Sequence, residues 1–441
     1  MKPDVRFARN GEYRLAYQIV GDGTRDLLYL PMYASNLEWL WEYEPYARFL
    51  EGLASFSRVI LMDKRGWGCS DRLAPNEWPP IEDRLEDIDA VLDDAGSTRA
   101  VLFGGDDSGF LAVLAAAARP ERVSRLVLFG AAPTYMRTED TPWDYFESAS
   151  DFEQWGTRSF AAKTLRAAAP SALVDDDAVR WFTTLCRLTC GVGSAIVEEE
   201  AVLQTDVRDV LPAISAPALV LHRAGDRYER IENARYLAEH IPNATLVELP
   251  GEDHFPWWGD QAPVIDAIGR FTGGAPSAPD PTRTLATVMF TDVVGSTERA
   301  AELGDGPWRE LIGAHDRIVR DELEKHGGKE IKTLGDGFLA MFDGPARATR
   351  CALAIAERVR ELGIQVRAGV PTGEVEVVEG DLAGVAVHIG SRVTSLAGPS
   401  EVLVSSTVRD LVAGSGLVFE DAGEHELKGI AEPWRLYRAL P

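Results

Sequence analysis

The 441-residue sequence is short of positive charge, cysteine and long apolar runs, and each shortage narrows what it can do. Lysine and arginine number 45 against 70 aspartates and glutamates, a formal net charge of −25. A surface of that sign repels nucleic-acid backbones and anionic membranes, so neither is expected as a partner. It does not exclude a small anionic ligand, because a local basic cluster and metal ions override the global field. Cysteine occurs four times, at Cys69, Cys186, Cys190 and Cys351, in no zinc-ligand spacing. These are read as reduced and mostly buried thiols of a cytoplasmic protein. No run of about 18 apolar residues occurs, so no membrane span is expected. The N-terminal MKPDVRFARNGEYRLAY lacks the apolar core of a signal peptide. What is present is 45% hydrophobic sequence, enough to fill the cores of two or three domains.

The stretch GGAPSAPDP, residues 273–281, has no large apolar side chain and reads as a linker. It separates residues 1–272 from 282–441. In the first part, SRVILMD (57–63), RAVLF (99–103), RLVLFGA (125–131) and ALVLH (218–222) read as buried strands. Helical patterns such as GFLAVLAAAARPERV lie between them. The alternation predicts a mostly parallel sheet covered on both faces. Residues 137–205 break the rhythm and read as an inserted helical cap. Its Trp143, Tyr145, Trp155 and Trp181 either line an apolar pocket or fill the core of the cap.

The second part predicts an α+β sandwich. TLATVMFTD (284–292) reads as a strand. Residues 308–328 read as an amphipathic helix with Leu311, Ile312, His315, Ile318, Val319 and Leu323 on its apolar face. His315 on that face reads as a core histidine. A strand pair around Gly335, a helix at 345–362 and the strands QVRAGVP and EVEVVEG follow.

Two acidic motifs carry chemistry. FTDVVGST puts Asp292 at a strand end before a tight turn, and IKTLGDGFLAMF puts Asp336 in a Gly-Asp-Gly turn. Flanking glycines let the backbone bend and present the carboxylate. Two carboxylates at strand ends suit a hard cation that also binds phosphate oxygens. With DLAGVAVHIGSRV, the EVLVS strand and HELKGI following in order, residues 284–439 resemble the class III adenylate/guanylate cyclase catalytic domain.

That resemblance implies a ferredoxin-like fold and a set of roles. Asp292 and Asp336, with the Val293 carbonyl, would bind two Mg²⁺ or Mn²⁺ ions. Lys332 would donate to adenine N1 and Asp381 accept from the adenine amino group, a polarity that fits ATP rather than GTP. Arg392 would stabilise charge on the α-phosphate in the transition state, and Lys428 would hold the terminal phosphates. His388 stands where the family commonly has the asparagine that orients the ribose; its ring nitrogens can still donate. Because one domain carries every role, the resemblance implies a head-to-tail homodimer with two equivalent sites that form cyclic AMP.

Residues 1–272 resemble the α/β-hydrolase family through DKRGWGCSDR, VLFGGDDSGFLAVL, RAGDRY and GEDHFP. The register from strand to helix puts Asp106 at the nucleophile elbow, with Asp107 the alternative in a shifted frame. Asp226 would be the acid and His254 the base. A carboxylate nucleophile suits attack on saturated carbon, as in epoxide- and halide-cleaving relatives. YLPMYASN replaces the usual His-Gly oxyanion loop, leaving backbone donors near Met32 and Tyr33. Catalytic turnover and sensing of a small apolar ligand both remain open for this part. The fusion of the two domains resembles an actinobacterial type.

Overall fold

Strands and helices alternate through the first unit as the apolar runs predict. In the computed structural model, which describes residues 2–79, 81–142, 149–174, 176–273, 283–378, 381–427, 430 and 433–441, the chain divides into Met1–Pro281 and Thr282–Pro441. All but Gly273 of the expected linker, together with Trp143, Tyr145 and Lys428, lies outside the described residues. No helix among the described residues is long and apolar enough to cross a membrane.

The first unit is an eight-stranded sheet. Its strands are β1 (Arg6–Asn10), β2 (Tyr13–Val20), β3 (Asp26–Tyr29), β4 (Arg58–Met62), β5 (Ala100–Gly105), β6 (Val123–Phe129), β7 (Ala218–Arg223) and β8 (Ala244–Leu249), in the order β1-β2-β4-β3-β5-β6-β7-β8. Only the pairs β1/β2 and β2/β4 are antiparallel; the remaining pairs are parallel. Every residue of β5 and β7 is buried, as unbroken apolar runs require in a sheet covered on both faces. The helices Arg158–Ala168, Asp176–Thr189 and Val192–Gln204 form the cap between β6 and β7. Trp181 stacks on Tyr43 at 4.5 Å in the cap core and donates to the Trp39 carbonyl.

The second unit has β9 (Arg283–Val293), β10 (Lys329–Leu334), β11 (Gly337–Phe342), β12 (Val366–Val370), β13 (Thr372–Val378), β14 (Asp381–Ala383), β15 (Val402–Ser405), β16 (Val418–His425) and β17 (Trp434–Leu440). The sheet order is β10-β11-β9-β12-β15-β17-β16, with β13 pairing the start of β9 and β14 pairing β13. The amphipathic helix runs Asp305–Lys325, three residues upstream of the expected span, because Gly304 at φ 77° sets its start. His315, Val319 and Leu323 are buried, whereas Leu311, Ile312 and Ile318 are half-buried. His315 is fully buried against the Phe338 ring, and burial lowers its pKa.

The helix Val385–Leu396 is seated on this sheet by glycines. A Cβ on Gly369 would stand 2.5 Å from the Thr394 nitrogen, and one on Gly390 2.5 Å from Phe290 Cδ2. Helix and sheet approach this closely only because both contact points lack a side chain. The close seat fixes where His388 and Arg392 project.

Candidate functional sites

The elbow of the first unit is built by small residues. A Cβ on Gly104 would meet the Ser108 carbonyl at 2.7 Å, and one on Gly109 the Ala131 Cβ at 2.7 Å. Between β5 and the helix Ser108–Ala118 stands Asp106, at φ +48°, a conformation rare for a residue with a side chain. Ser108 is a bracing residue here: its hydroxyl donates to the Gly105 carbonyl at 2.8 Å.

Asp106 and His254 are both about 1% exposed. His254 Nδ1 lies 2.8 Å from Asp226 Oδ2, and Nε2 lies 3.8 Å from Asp106 Oδ1. Asp226 also accepts from the Tyr228 and Glu229 amides at 2.8 and 3.1 Å, so its carboxylate is fully occupied in holding the ring. Burial disfavours a charge on His254, but Asp226 and then Asp106 outweigh it and raise the pKa to about 10. The ring thus lies between two aspartate side chains that favour its protonated form. Asp106 Oδ1 also accepts from the Tyr135 hydroxyl at 3.0 Å.

Asp107 does something the sequence did not reveal. Its Oδ1 accepts the Tyr33 amide at 2.9 Å, one of the backbone donors expected to serve as the oxyanion loop. Its Oδ2 is held by Lys64, which comes from the DKRGWG turn and lies 3.7 Å from Glu198. Glu198 in turn accepts from Arg84 and from Trp78 Nε1 at 2.6 Å. Burial raises the Asp107 pKa, against the pull of Lys64 and with the push of Asp106 and Glu198. Glu198 is held below its ordinary value: burial opposes this, but Arg84 and Lys64 prevail.

A second unforeseen group is Glu229. It is 2% exposed, and burial lifts its pKa to about 8 despite hydrogen bonds from Asn233 and the Arg230 amide. Its only signal in the sequence was its place three residues after Asp226.

Above the elbow is a small cavity of about 20 Å³. Trp155 and Phe152 from the cap, with Tyr33 and Trp67, form its aromatic wall, and Asp106, Asp107, Glu198 and Glu199 its acidic one. Of the cap tryptophans named from the sequence, Trp155 reaches the cavity and Trp181 packs in the core.

In the second unit, β9 and β11 pair with Thr291 opposite Phe338. Gly337 therefore stands opposite Asp292, and Asp336 comes next, at the same end of the sheet. A Cβ on Gly337 would collide with the Thr291 carbonyl, so the turn closes tightly against β9. Asp336 Oδ2 is buried without a hydrogen-bond partner among the described residues. Asp292 Oδ2 accepts from Arg367 Nε at 2.9 Å and Nη2 at 2.5 Å, and Val293 is buried beside it. Among the described residues no three His, Cys, Asp or Glu side chains gather as a metal cage. Two carboxylates, one with an orphaned oxygen, instead fit cations that share their shell with substrate phosphates.

Lys332 lies exposed on β10, and β14, which begins at Asp381, runs beside β10. Only the backbone of Asp381 is described. His388 is exposed and Arg392 half-buried, one turn apart, and Arg392 Nη1 donates to the His388 carbonyl at 3.2 Å.

Residues 37–260 match the alpha/beta hydrolase fold model. The chain belongs to that family. Residues 280–438 match the adenylate and guanylate cyclase catalytic domain, so a class III nucleotide cyclase domain follows the hydrolase-fold one. The chain is similar to a putative adenylate cyclase 3 of Rhizobium meliloti, 31% identical over 169 residues, which are 36% of this chain and 29% of that protein. It is also similar to a probable esterase of Oryza sativa subsp. japonica, 24% identical over 262 residues, 57% of this chain and 93% of that one. Among solved structures, the esterase RhEst1 from Rhodococcus sp. ECU1013 superposes with a TM-score of 0.51 at 21% identity, over 62% of this chain and 99% of that chain, a likeness of fold. The chain spans less than a third of the length of the putative cyclase.

Proposed function

We propose that the chain is an adenylate cyclase that forms 3′,5′-cyclic AMP and pyrophosphate, and that its hydrolase-fold unit is a ligand-binding regulatory module. The observation that carries the reading is the pairing of Asp292 and Asp336 at one sheet end, with an oxygen of Asp336 left without a partner among the described residues. Two Mg²⁺ or Mn²⁺ ions bound there would neutralise phosphate charge and lower the pKa of the ribose 3′-hydroxyl. The residues of the chain then do the rest. Lys332 donates to adenine N1 and Asp381 accepts from the amino group; the adjacency of β10 and β14 supports their acting together. Lys428 holds the terminal phosphates. Arg392 stabilises the charge that builds on the α-phosphate as the 3′-oxygen attacks in line, and His388 orients the ribose.

Arg392 and His388 serve the site of a second copy in this reading, a head-to-tail homodimer. Leu334, beside the Asp336 turn, and Leu396, at the end of the Arg392 helix, are 45% and 43% exposed, which supports a covered face there. The test is cyclic nucleotide formation from ATP and GTP with Mg²⁺ or Mn²⁺, beside Asp292→Ala. Cyclic AMP from the parent chain and none from the variant is expected. No product from either nucleotide would overturn the reading.

A second reading, hydrolysis at the elbow, is favoured by the alignment Asp226–His254–Asp106. Attack by Asp106 on saturated carbon would form an alkyl ester as the C–halogen or epoxide C–O bond breaks, releasing halide or leaving the ring oxygen as a hydroxyl after it takes a proton from water, and water activated by His254 would cleave the ester to an alcohol and the free Asp106 carboxylate. Against it, the Tyr33 amide already serves Asp107. Mass spectrometry of His254→Ala after exposure to epoxides and haloalkanes decides: an adduct on Asp106 supports hydrolysis, and an unmodified protein leaves the binding role.

A further inference from the structure

The cavity above the elbow is charged as well as aromatic. Four carboxylates line it, Asp106, Asp107, Glu198 and Glu199, and no lysine, arginine or histidine is among its described lining residues. The cations nearby are already committed. Lys64 is held by Asp107 with Glu198 3.7 Å away, Arg84 is held by Glu198, and His254 bonds Asp226 at 2.8 Å. His254 faces Asp106 only at Oδ1, 3.8 Å away. The other oxygen, Asp106 Oδ2, is buried and has no hydrogen-bond partner among the described residues. A buried carboxylate oxygen without a donor is costly, and a donor that arrives with positive charge removes the cost most fully.

The same wall already holds an ammonium group. Lys64 Nζ lies 4.1 Å from the centre of the Trp67 ring, between a carboxylate and an aromatic face. Trp155 and Phe152 extend that aromatic surface from the cap side, their rings stacked at 5.5 Å. Cation–π attraction and carboxylate acceptors together select a small cation with N–H donors.

We propose that the elbow cavity binds a small primary ammonium ion, its N–H groups on Asp106 Oδ2 and its charge against the ring of Trp155. A neutral apolar molecule of the same size leaves Asp106 Oδ2 without a donor, and a carboxylate brings it another acceptor. The proposal deepens the binding-module reading of this unit by naming the ligand class.

The test is calorimetric titration of the full chain with methylammonium, methanol and formate, with cyclic AMP output measured on the same samples. Methylammonium is expected to bind saturably at one site, at least about tenfold tighter than methanol, with no binding of formate. Asp106→Asn is expected to weaken methylammonium about tenfold or more. Should that variant not fold, Glu199→Gln carries the test, with a severalfold weakening expected. The proposal is overturned if methanol or formate binds as tightly as the ammonium ion, if methylammonium gives no saturable heat, or if folded Asp106→Asn binds unchanged. Saturable binding with unchanged cyclic AMP output upholds the cation site and refutes ligand control of the cyclase.

Discussion

His254 offers the sharpest test of the electrostatics at the elbow. A rise from 6.5 to about 10 corresponds to about 5 kcal/mol favouring the protonated folded state. The folded pKa lies above the unfolded one, so this stabilisation is fully present below pH 6.5 and is lost as pH climbs through about 10. Asp226→Asn removes the largest attraction and leaves Asp106 alone to oppose burial, so the pKa of the ring falls. Histidine labelled with ¹³C at Cε1 reports this directly. The protein has seven histidines, and His254→Gln assigns the resonance. In the parent chain the His254 signal is expected to stay in its charged form until well above pH 8; in Asp226→Asn it titrates at a lower pH than in the parent. Unfolding by denaturant, followed from near pH 6 to about pH 10, should show the parent losing stability that the variant does not have to lose. A parent His254 that titrates at 6.5 would refute the charged triad. The same charge bears on hydrolysis: an imidazolium is no base, and the ring can take a proton from water only after ester formation has removed the Asp106 charge.

Four further outcomes follow from other contacts. Glu229, raised from 4.5 to about 8, keeps a proton in the folded state that the unfolded chain releases, so stability falls between those pH values; Glu229→Gln should remove up to about 5 kcal/mol of that fall, read as a flatter profile of unfolding midpoint against pH. Lys64→Met leaves Asp107 and Glu198 facing each other without their shared cation and should cost about 3–5 kcal/mol in chemical unfolding of the first unit. Gly390→Ala drives a Cβ to 2.5 Å from Phe290 Cδ2; a loss of about 1–3 kcal/mol is expected, with a drop in cyclase rate as the helix carrying His388 and Arg392 shifts. Arg367→Gln removes the guanidinium that competes for Asp292, and the half-saturating Mg²⁺ concentration should fall by roughly two- to tenfold; a rise would mean that Arg367 positions the carboxylate instead.

The sheets were legible because burial on both faces writes itself as unbroken apolar runs: β4, β5, β6 and β7 fall on the four segments read as strands. The helix ends were less so. Gly304, not the hydrophobic period, starts the helix that contains His315, and the period says nothing about a left-handed residue before it. At the elbow, strand-to-helix register singled out Asp106, and the structure puts the positive φ there. Asp107 was legible only as the alternative nucleophile in a shifted frame. That it takes up the Tyr33 amide depends on Tyr33, Lys64 and Glu198, which are 74, 43 and 91 positions away and meet only in the fold. The expectation of an apolar ligand rested on tryptophans in the cap. It missed Glu198 and Glu199 because two glutamates on a helix read as solvated surface unless their burial is known, and both are nearly buried.

Both units set two aspartates at the end of a strand, and the surrounding charges give each pair a different chemistry. Asp107 is matched by Lys64, and Asp106 shares His254 with Asp226, so the protein itself supplies most of the positive charge at the elbow. In the second unit Arg367 reaches Asp292 alone, from a side chain about one-third exposed, and Asp336 keeps a buried oxygen with no donor among the described residues. A doubly charged ion suits that second pair, where two carboxylates share one missing compensation and phosphate oxygens can complete the shell. At the elbow the shortfall includes Asp106 Oδ2, in a cavity walled by aromatic rings. There a metal ion would lack ligands, whereas one ammonium group would meet both an acceptor and a π-face. The residue types at the two strand ends are the same; what differs is how much of their charge the fold has already answered.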